Sequence, residues 1–359
     1  MSGSTIAGTI STTVILNSTP SYLSPLTVTT GGAILVATGY GITTNSSGTV
    51  INDGTIISGN TAAISLIGLA NSGSVTNSGV ILGSTDGIYT GVGVLTLANS
   101  GSIAGGVGGH GIDIYTGYVT NTNPGQIYGG SFGAYFYATG GTLNNAGTIS
   151  AGTSGTGVYL RGGGTVINAG TIAGGAYAVD FLANNSINNS GGVLIVDPGA
   201  VFNGSVTSVA SLQNTLDLAS GSSAGTLNMG GSFSGFDTIN IDTGATWTLE
   251  GNAAELASGQ TITGFTAGDT IDLSGVAATL ANFSAGTLSL YGTSGLLDTL
   301  TLAEPSSVTS AFFTLTPDTT GTGTDIVLCF YPGTRIATPE GDAAVEDLRT
   351  GDAVLTANG

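Results

Sequence analysis

The chain has 359 residues, of which 63 are glycine, 21 acidic and only 3 basic, for a formal net charge of −18; an average soluble domain carries roughly 25% charged residues and about 7% Gly. The basic residues are Arg161, Arg335 and Arg349, with no lysine, so no basic patch exists to neutralise phosphates, and nucleic acid and anionic membrane surfaces are excluded as partners. Cys329 is the only cysteine, which excludes an intrachain disulfide, and the positive mean hydropathy argues against a disordered acidic chain.

The opening Met1-Ser-Gly-Ser-Thr-Ile-Ala-Gly8 has no basic n-region and no apolar core, so it does not read as a Sec-type signal peptide. No uninterrupted apolar run reaches the ~18 residues of a membrane span. Residues 1–50, with Val28, Ile34 and Val36 and breaks at Pro20 and Pro25, are expected to form an N-terminal cap and first coils.

From residue 51 a repeat takes over. The signature Asn-x-Gly recurs at Asn52, Asn77, Asn99, Asn123, Asn145, Asn168 and Asn189, with Gly-to-Gly spacings of 25, 22, 24, 22, 23 and 21. Two residues after each glycine stand Ile56, Ile81, Ile103, Ile127, Ile149, Ile172 and Val193, a β-branched column that must point inward. A second apolar column, Ile64, Ile88, Ile112, Ala134, Val158 and Val179, is followed two residues later by Leu66, Thr90, Ile114, Phe136, Leu160 and Phe181. Between them lie Ser65, Tyr89, Asp113, Tyr135, Tyr159 and Asp180, the period-two alternation of a half-buried strand. Short strands at a period near 22 predict an all-β fold: a right-handed parallel β-helix, a solenoid with ~22 residues per coil, over residues 51–193. Asn and Gly tolerate the backbone of a tight corner, and at a coil rise of about 4.8 Å the asparagines are spaced for an amide hydrogen-bond ladder.

Several constellations within the repeat admit a chemical reading. Gly106-Val-Gly-Gly-His-Gly111 fits the dinucleotide spelling, but a strand follows it and not a helix, so no cofactor is expected. Gly129-Gly-Ser131-Phe-Gly133 fits the nucleophile-elbow spelling one coil after His110 and Asp113, again without the strand-to-helix turn an elbow requires. A polysaccharide hydrolase on this scaffold needs paired carboxylates, and a lyase needs a cation for the developing carbanion. Asp113 and Asp180 share a column three coils apart, and Arg161 stands alone. The tyrosine and asparagine columns read equally as a ligand-binding face and as plain outward strand positions.

Residues 194–328 keep the alternation in 238–242, 246–249, 270–273 and 299–302 but lose the Asn-x-Gly corner, and are expected to form degenerate coils or a β-rich cap. An Ala-rich stretch at 250–258 suggests a short helical turn. Gly264-Phe-Thr-Ala-Gly-Asp-Thr-Ile-Asp-Leu-Ser-Gly275 resembles a segment common near the ends of secreted repeats-in-toxin proteins, without their calcium-binding nonapeptide; Asp269 and Asp272 are the only calcium candidates it offers, and turn or surface carboxylates are the simpler reading.

Residues 329–359 are a different kind of sequence, with 5 acidic residues and 2 arginines in a short segment. Two strands are expected to flank a turn at Pro339-Glu-Gly-Asp342, with a third after Thr350-Gly-Asp352. Cys329, Gly333-Thr334, Ile336, Thr338, Gly341, Val345-Glu346, Leu348, Gly351-Asp352, Val354 and Thr356 together resemble the opening of a Hedgehog/intein (Hint) domain, as found on bacterial secreted β-rich proteins of the adhesin or autotransporter-passenger kind. The resemblance implies that the Cys329 thiolate attacks the Leu328 carbonyl in an N–S acyl shift. It also implies a downstream histidine that activates the scissile amide. No histidine follows residue 329, so the module as written is expected to be incomplete and inactive.

The sequence therefore predicts a secreted or cell-surface structural and adhesive β-helix, exported without an N-terminal Sec signal and bearing the start of a self-processing module. Any enzyme activity is at most self-cleavage. Surface glycans and self-association through solenoid ends are the expected contacts, and a polysaccharide-acting lyase or hydrolase is the alternative.

Overall fold

The alternation and corners read from the sequence become stacked coils in a computed structural model that describes residues 3–18, 22–67, 72–138, 140–182, 191–209, 212–256, 259–303, 313–328, 334–349 and 352–355. The fold is all-β, 57% strand and 2% helix, a β-solenoid of about 11 turns with about 23 residues per turn. The chain divides into two units, Met1–Gly221 with Gly231–Ile239, and Ser222–Gly230 with Asn240–Gly359. Among the described residues no helix is long and apolar enough to cross a membrane.

In the first unit a regular coil contributes three short strands, such as Val94–Asn99, Ser102–Ala104 and His110–Ile114. Each pairs in parallel with its equivalents one coil before and after. Ile56, Ile81, Ile103, Ile127, Ile149 and Ile172 lie in register and are fully buried, as are Ile64, Ile88, Ile112, Ala134, Val158 and Val179. A third buried column, Val50, Val75, Leu97, Val119, Leu143, Val166, Leu194 and Leu216, completes the interior. Each large aliphatic side chain so buried contributes roughly 1.5–3 kcal/mol.

The asparagine ladder forms, with one change of membership. Each Nδ2 donates to the Oδ1 one coil on, Asn52 to Asn77, Asn77 to Asn99, Asn99 to Asn121, Asn121 to Asn145 and Asn145 to Asn168, every bond 2.8 Å. The fourth rung is therefore Asn121 and not Asn123. That coil turns a corner two residues longer, and Asn123 is exposed on it. The same Nδ2 groups also reach corner carbonyls, Asn99 to Gly101 at 3.1 Å and to Gln126 at 3.3 Å. All six side chains are buried, so the ladder presents no ligand-binding face.

The ladder ends where its register partners become apolar: Val28 lies beside Asn52, and Val196 beside Asn168. Asn52 Oδ1 consequently has no partner among the described residues. Asn189 lies outside the described residues. Val193 belongs to Gly192–Val196, paired with Thr165 and Thr215 and half-exposed, while Phe202 takes the register position beside Ile172. Val193 is thus not in the inner isoleucine column.

The second unit mixes parallel and antiparallel pairing. Trp247–Asn252 runs parallel to Gly225–Asn228 and Thr270–Ser274, and Thr270–Ser274 runs antiparallel to Thr324–Leu328. Leu280–Ser284, Thr287–Gly292 and Gly295–Leu302 form an antiparallel meander. The Ala-rich stretch supplies a helix, Ala253–Leu256.

Asn121→Ala removes the middle of the ladder, leaving Asn145 Oδ1 without its donor and the Asn99 amide with only its corner carbonyls. It is expected to cost roughly 1–3 kcal/mol for each buried group so orphaned. Asn123→Ala is expected to change stability by less than about 0.5 kcal/mol. Urea unfolding followed by circular dichroism separates the two; equal losses would place Asn123 in the ladder.

Candidate functional site

The outer face of the first unit gathers its chemistry through a local bend. In His110–Ile114 both Gly111 and Ile112 turn inward, so His110 and Asp113, three apart, face outward together. Phe132–Phe136 repeats the arrangement with Phe132 and Tyr135. The inward glycine is required by close backbone approach: a Cβ on Gly111 would stand 2.5 Å from the Gly133 carbonyl oxygen, and one on Gly133 2.6 Å from that of Gly157. Two outer columns result, Asp86, His110, Phe132, Thr156 and Tyr177 beside Tyr89, Asp113, Tyr135, Tyr159 and Asp180, with the small Thr156 buried in its register position.

Stacking brings Asp86 onto His110. Asp86 Oδ1 accepts the His110 backbone N–H at 3.0 Å and lies 2.7 Å from Nδ1; because a carboxylate only accepts, Nδ1 carries the proton. Asp113 Oδ2 lies 3.7 Å from the same nitrogen. The three donor atoms all fall within 4.8 Å of one another, and the three residues are half-buried. Burial opposes protonation of His110, yet the Asp86 hydrogen bond and the charges of Asp113 and Asp86 outweigh it and hold the imidazole above its usual value. Asp113 is pushed up to about 6, by burial first, with His110 opposing and Asp86 adding to the rise.

Aromatic rings continue the columns. His110 stacks on Phe132 at 5.3 Å and on Tyr135 at 5.6 Å, and Tyr159 lies 5.0 Å from Phe132 and 5.2 Å from Tyr135. Stacked this way, the rings cover one another's faces and offer edges and hydroxyls outward. The Arg161 guanidinium sits over the Tyr137 ring at 4.5 Å.

The other sequence candidates disperse. Ser131 donates its hydroxyl to the Gly108 carbonyl at 3.0 Å and makes no nucleophile–base pair with His110. Gly106–Gly111 leads into a strand. Asp113 and Asp180 remain three coils apart with Tyr135 and Tyr159 between them. The partner that sequence reasoning missed is Asp86. It stands two residues before Ile88, as His110 stands two before Ile112, so extending the column comparison by two positions would have found it.

Asp269 is buried, with its oxygens accepting the Trp247 N–H at 2.9 Å and the Thr266 N–H at 2.8 Å, a turn-holding role. Asp272 is held apart from it, facing Glu250 across one strand pair and Asp325 across the other. Burial, then the charges of Asp325, Asp318 and Glu250, raises its pKa.

At the C-terminal end, Leu328 closes the strand Thr324–Leu328 opposite Phe313. Cys329 lies outside the described residues. Beyond it Arg335–Thr338 pairs antiparallel with Gly341–Ala344 around the expected turn, where Thr338 Oγ1 donates to the Gly341 carbonyl at 2.6 Å. Residues 352–355 do not form the expected third strand; they carry one ladder-like bond, Leu355 N–H to the Ala337 carbonyl at 2.8 Å.

Comparison with known proteins matches residues 328–359 to the Hint domain family. No curated protein and no solved structure matches the chain.

Burial alone pushes the Asp180 carboxyl up to about 6 from an ordinary 3.8. The folded protein then holds this proton more tightly than the unfolded chain does, so the site costs stability progressively as pH rises from about 4 to above 6. Asp180→Asn is expected to raise Tm by a few degrees at pH 7.5 and to leave it unchanged at pH 3.5. A gain independent of pH, seen in thermal melts across that range, would contradict this.

Proposed function

We propose that the solenoid is a structural and adhesive passenger, secreted or displayed at a bacterial cell surface, and that its C-terminal segment opens a self-processing Hint module. The observation that carries the reading is the family match over residues 328–359, which begins at the last residue of the strand Thr324–Leu328. In the proposed step the Cys329 thiolate attacks the Leu328 carbonyl carbon. The new C–S bond replaces the Leu328–Cys329 amide bond, and the departing nitrogen takes up a proton as the free amine. Water then attacks the thioester, releasing a Leu328 carboxylate and regenerating the thiol.

The adhesive half of the reading is supported by the fold. Backbone pairing and buried columns stabilise the coils without disulfides, and the high negative charge keeps chains apart in solution. Contact with surface glycans would use the outward edges and hydroxyls of Tyr135 and Tyr159, whose rings lie against each other and against Phe132.

A polysaccharide-acting enzyme, lyase or hydrolase, is the second reading. Asp86 and Asp113 favour it, because they place two carboxylates within 4.8 Å of one another on one outer face, close to the separation of a retaining glycosidase pair. Both carboxylates turn toward His110, which weighs against their use on a sugar.

Intact-mass measurement on the protein as its producing cells make it tests the first reading. A fragment ending at Leu328 is expected, absent when Cys329 is replaced by Ala. A product spanning the 328–329 junction uncut in both would overturn it.

A further inference from the structure

We propose that Asp86, His110 and Asp113 form a binding site for a divalent transition-metal ion, with Zn2+ or Mn2+ the ions whose preferences fit one imidazole and two carboxylates. The inference rests on the first unit alone and is independent of the Hint reading.

Geometry is the first argument. His110 Nδ1 lies 2.7 Å from Asp86 Oδ1 and 3.7 Å from Asp113 Oδ2. Donors bound at about 2.0–2.2 Å to a common ion stand about 3.0–3.5 Å apart, so the two observed separations bracket the required one. Lengthening the first, shortening the second and bringing the two carboxylate oxygens, which lie within 4.8 Å of each other, to the same spacing would seat the ion. It would take the place of the Nδ1 proton, which passes to solvent from a cationic ring or to Nε2 in a neutral one.

Rigidity is the second. His110 and Asp113 are held outward on one strand by the inward Gly111. The imidazole is stacked on Phe132 and Tyr135, and Asp86 Oδ1 is anchored by the His110 backbone N–H. Neighbours of this kind orient metal ligands.

Charge is the third. A single His–Asp hydrogen bond needs one carboxylate, and Asp86 supplies it. Asp113, at 3.7 Å, lies beyond hydrogen-bond reach of Nδ1, so two half-buried carboxylates are gathered on one imidazole, an arrangement in which like charges repel. Neither lysine nor arginine joins them: the first unit's arginine, Arg161, sits over Tyr137. A dication would cancel the excess. The side chains retain 15–21% exposure, which leaves room for water to complete the coordination shell.

The chain has one histidine, so in a protein free of a histidine tag the imidazole ring-proton resonances are unambiguous by NMR. Titration of the unsubstituted protein with ZnCl2, at about 0.15 M salt to screen diffuse attraction and with Mg2+ in excess, is expected to shift those resonances and saturate at one equivalent. Asp86→Asn and Asp113→Asn should each weaken binding about 10–100-fold, and His110→Gln should abolish it, with melting temperatures reporting that each variant folds. Should a variant not fold, Mn2+ line broadening on the unsubstituted protein decides: backbone amides of 86–89 and 110–114 are expected to broaden first. The proposal is overturned by ring resonances that do not move through several equivalents of ZnCl2, by affinity unchanged in folded variants, or by broadening centred on Glu250, Asp272 and Asp325.

Discussion

In-register stacking of one coil on the next is the constraint on which the rest of the first unit depends, and the buried asparagine ladder enforces it. Each amide between the two ends donates to the next coil and accepts from the one before. A coil displaced by one residue would leave buried amides unpaired and turn its inward isoleucines to solvent. Hydrophobic columns alone tolerate exchange among similar side chains, whereas an amide ladder accepts only one alignment. Because the register is unique, so is the composition of the outer columns.

That second consequence gives the surface its chemistry. Asp86 and His110 are separated by a full turn in sequence and meet only because their coils align. Asp113 joins them because the inward pair Gly111–Ile112 puts residues three apart on the same outer face. The neighbouring rings are placed by the same two rules, one position per coil. In the second unit, strand pairing instead sets Glu250, Asp272 and Asp325 side by side, where adjacent like charges oppose pairing and, after burial, raise the Asp272 pKa.

Much of the fold was legible in the sequence, and the failures have physical causes. The two apolar columns were visible because β-branched residues recur at nearly constant spacing. The third, through Val75, Leu97 and Val119, was not, because it precedes the Asn-x-Gly signature from which the columns were counted. Asn123 was mistaken for a rung because Asn123-Pro-Gly125 imitates the corner, while the true rung, Asn121, begins a corner two residues longer. Val193 failed for a related reason: the coil after Asn168 no longer keeps the signature's offset, and Val196 takes the rung position. The Hint segment was legible for the opposite reason. Its signature is a linear run of residues and needs no stacking to be seen.

The register is tested most directly by hydrogen exchange of asparagine side-chain amides. Those of Asn52, Asn77, Asn99, Asn121 and Asn145, buried and bonded from coil to coil, are predicted to exchange orders of magnitude more slowly than that of the exposed Asn123. Uniformly fast exchange, or protection of Asn123 in place of Asn121, would contradict the alignment of the coils and, with it, the meeting of Asp86, His110 and Asp113.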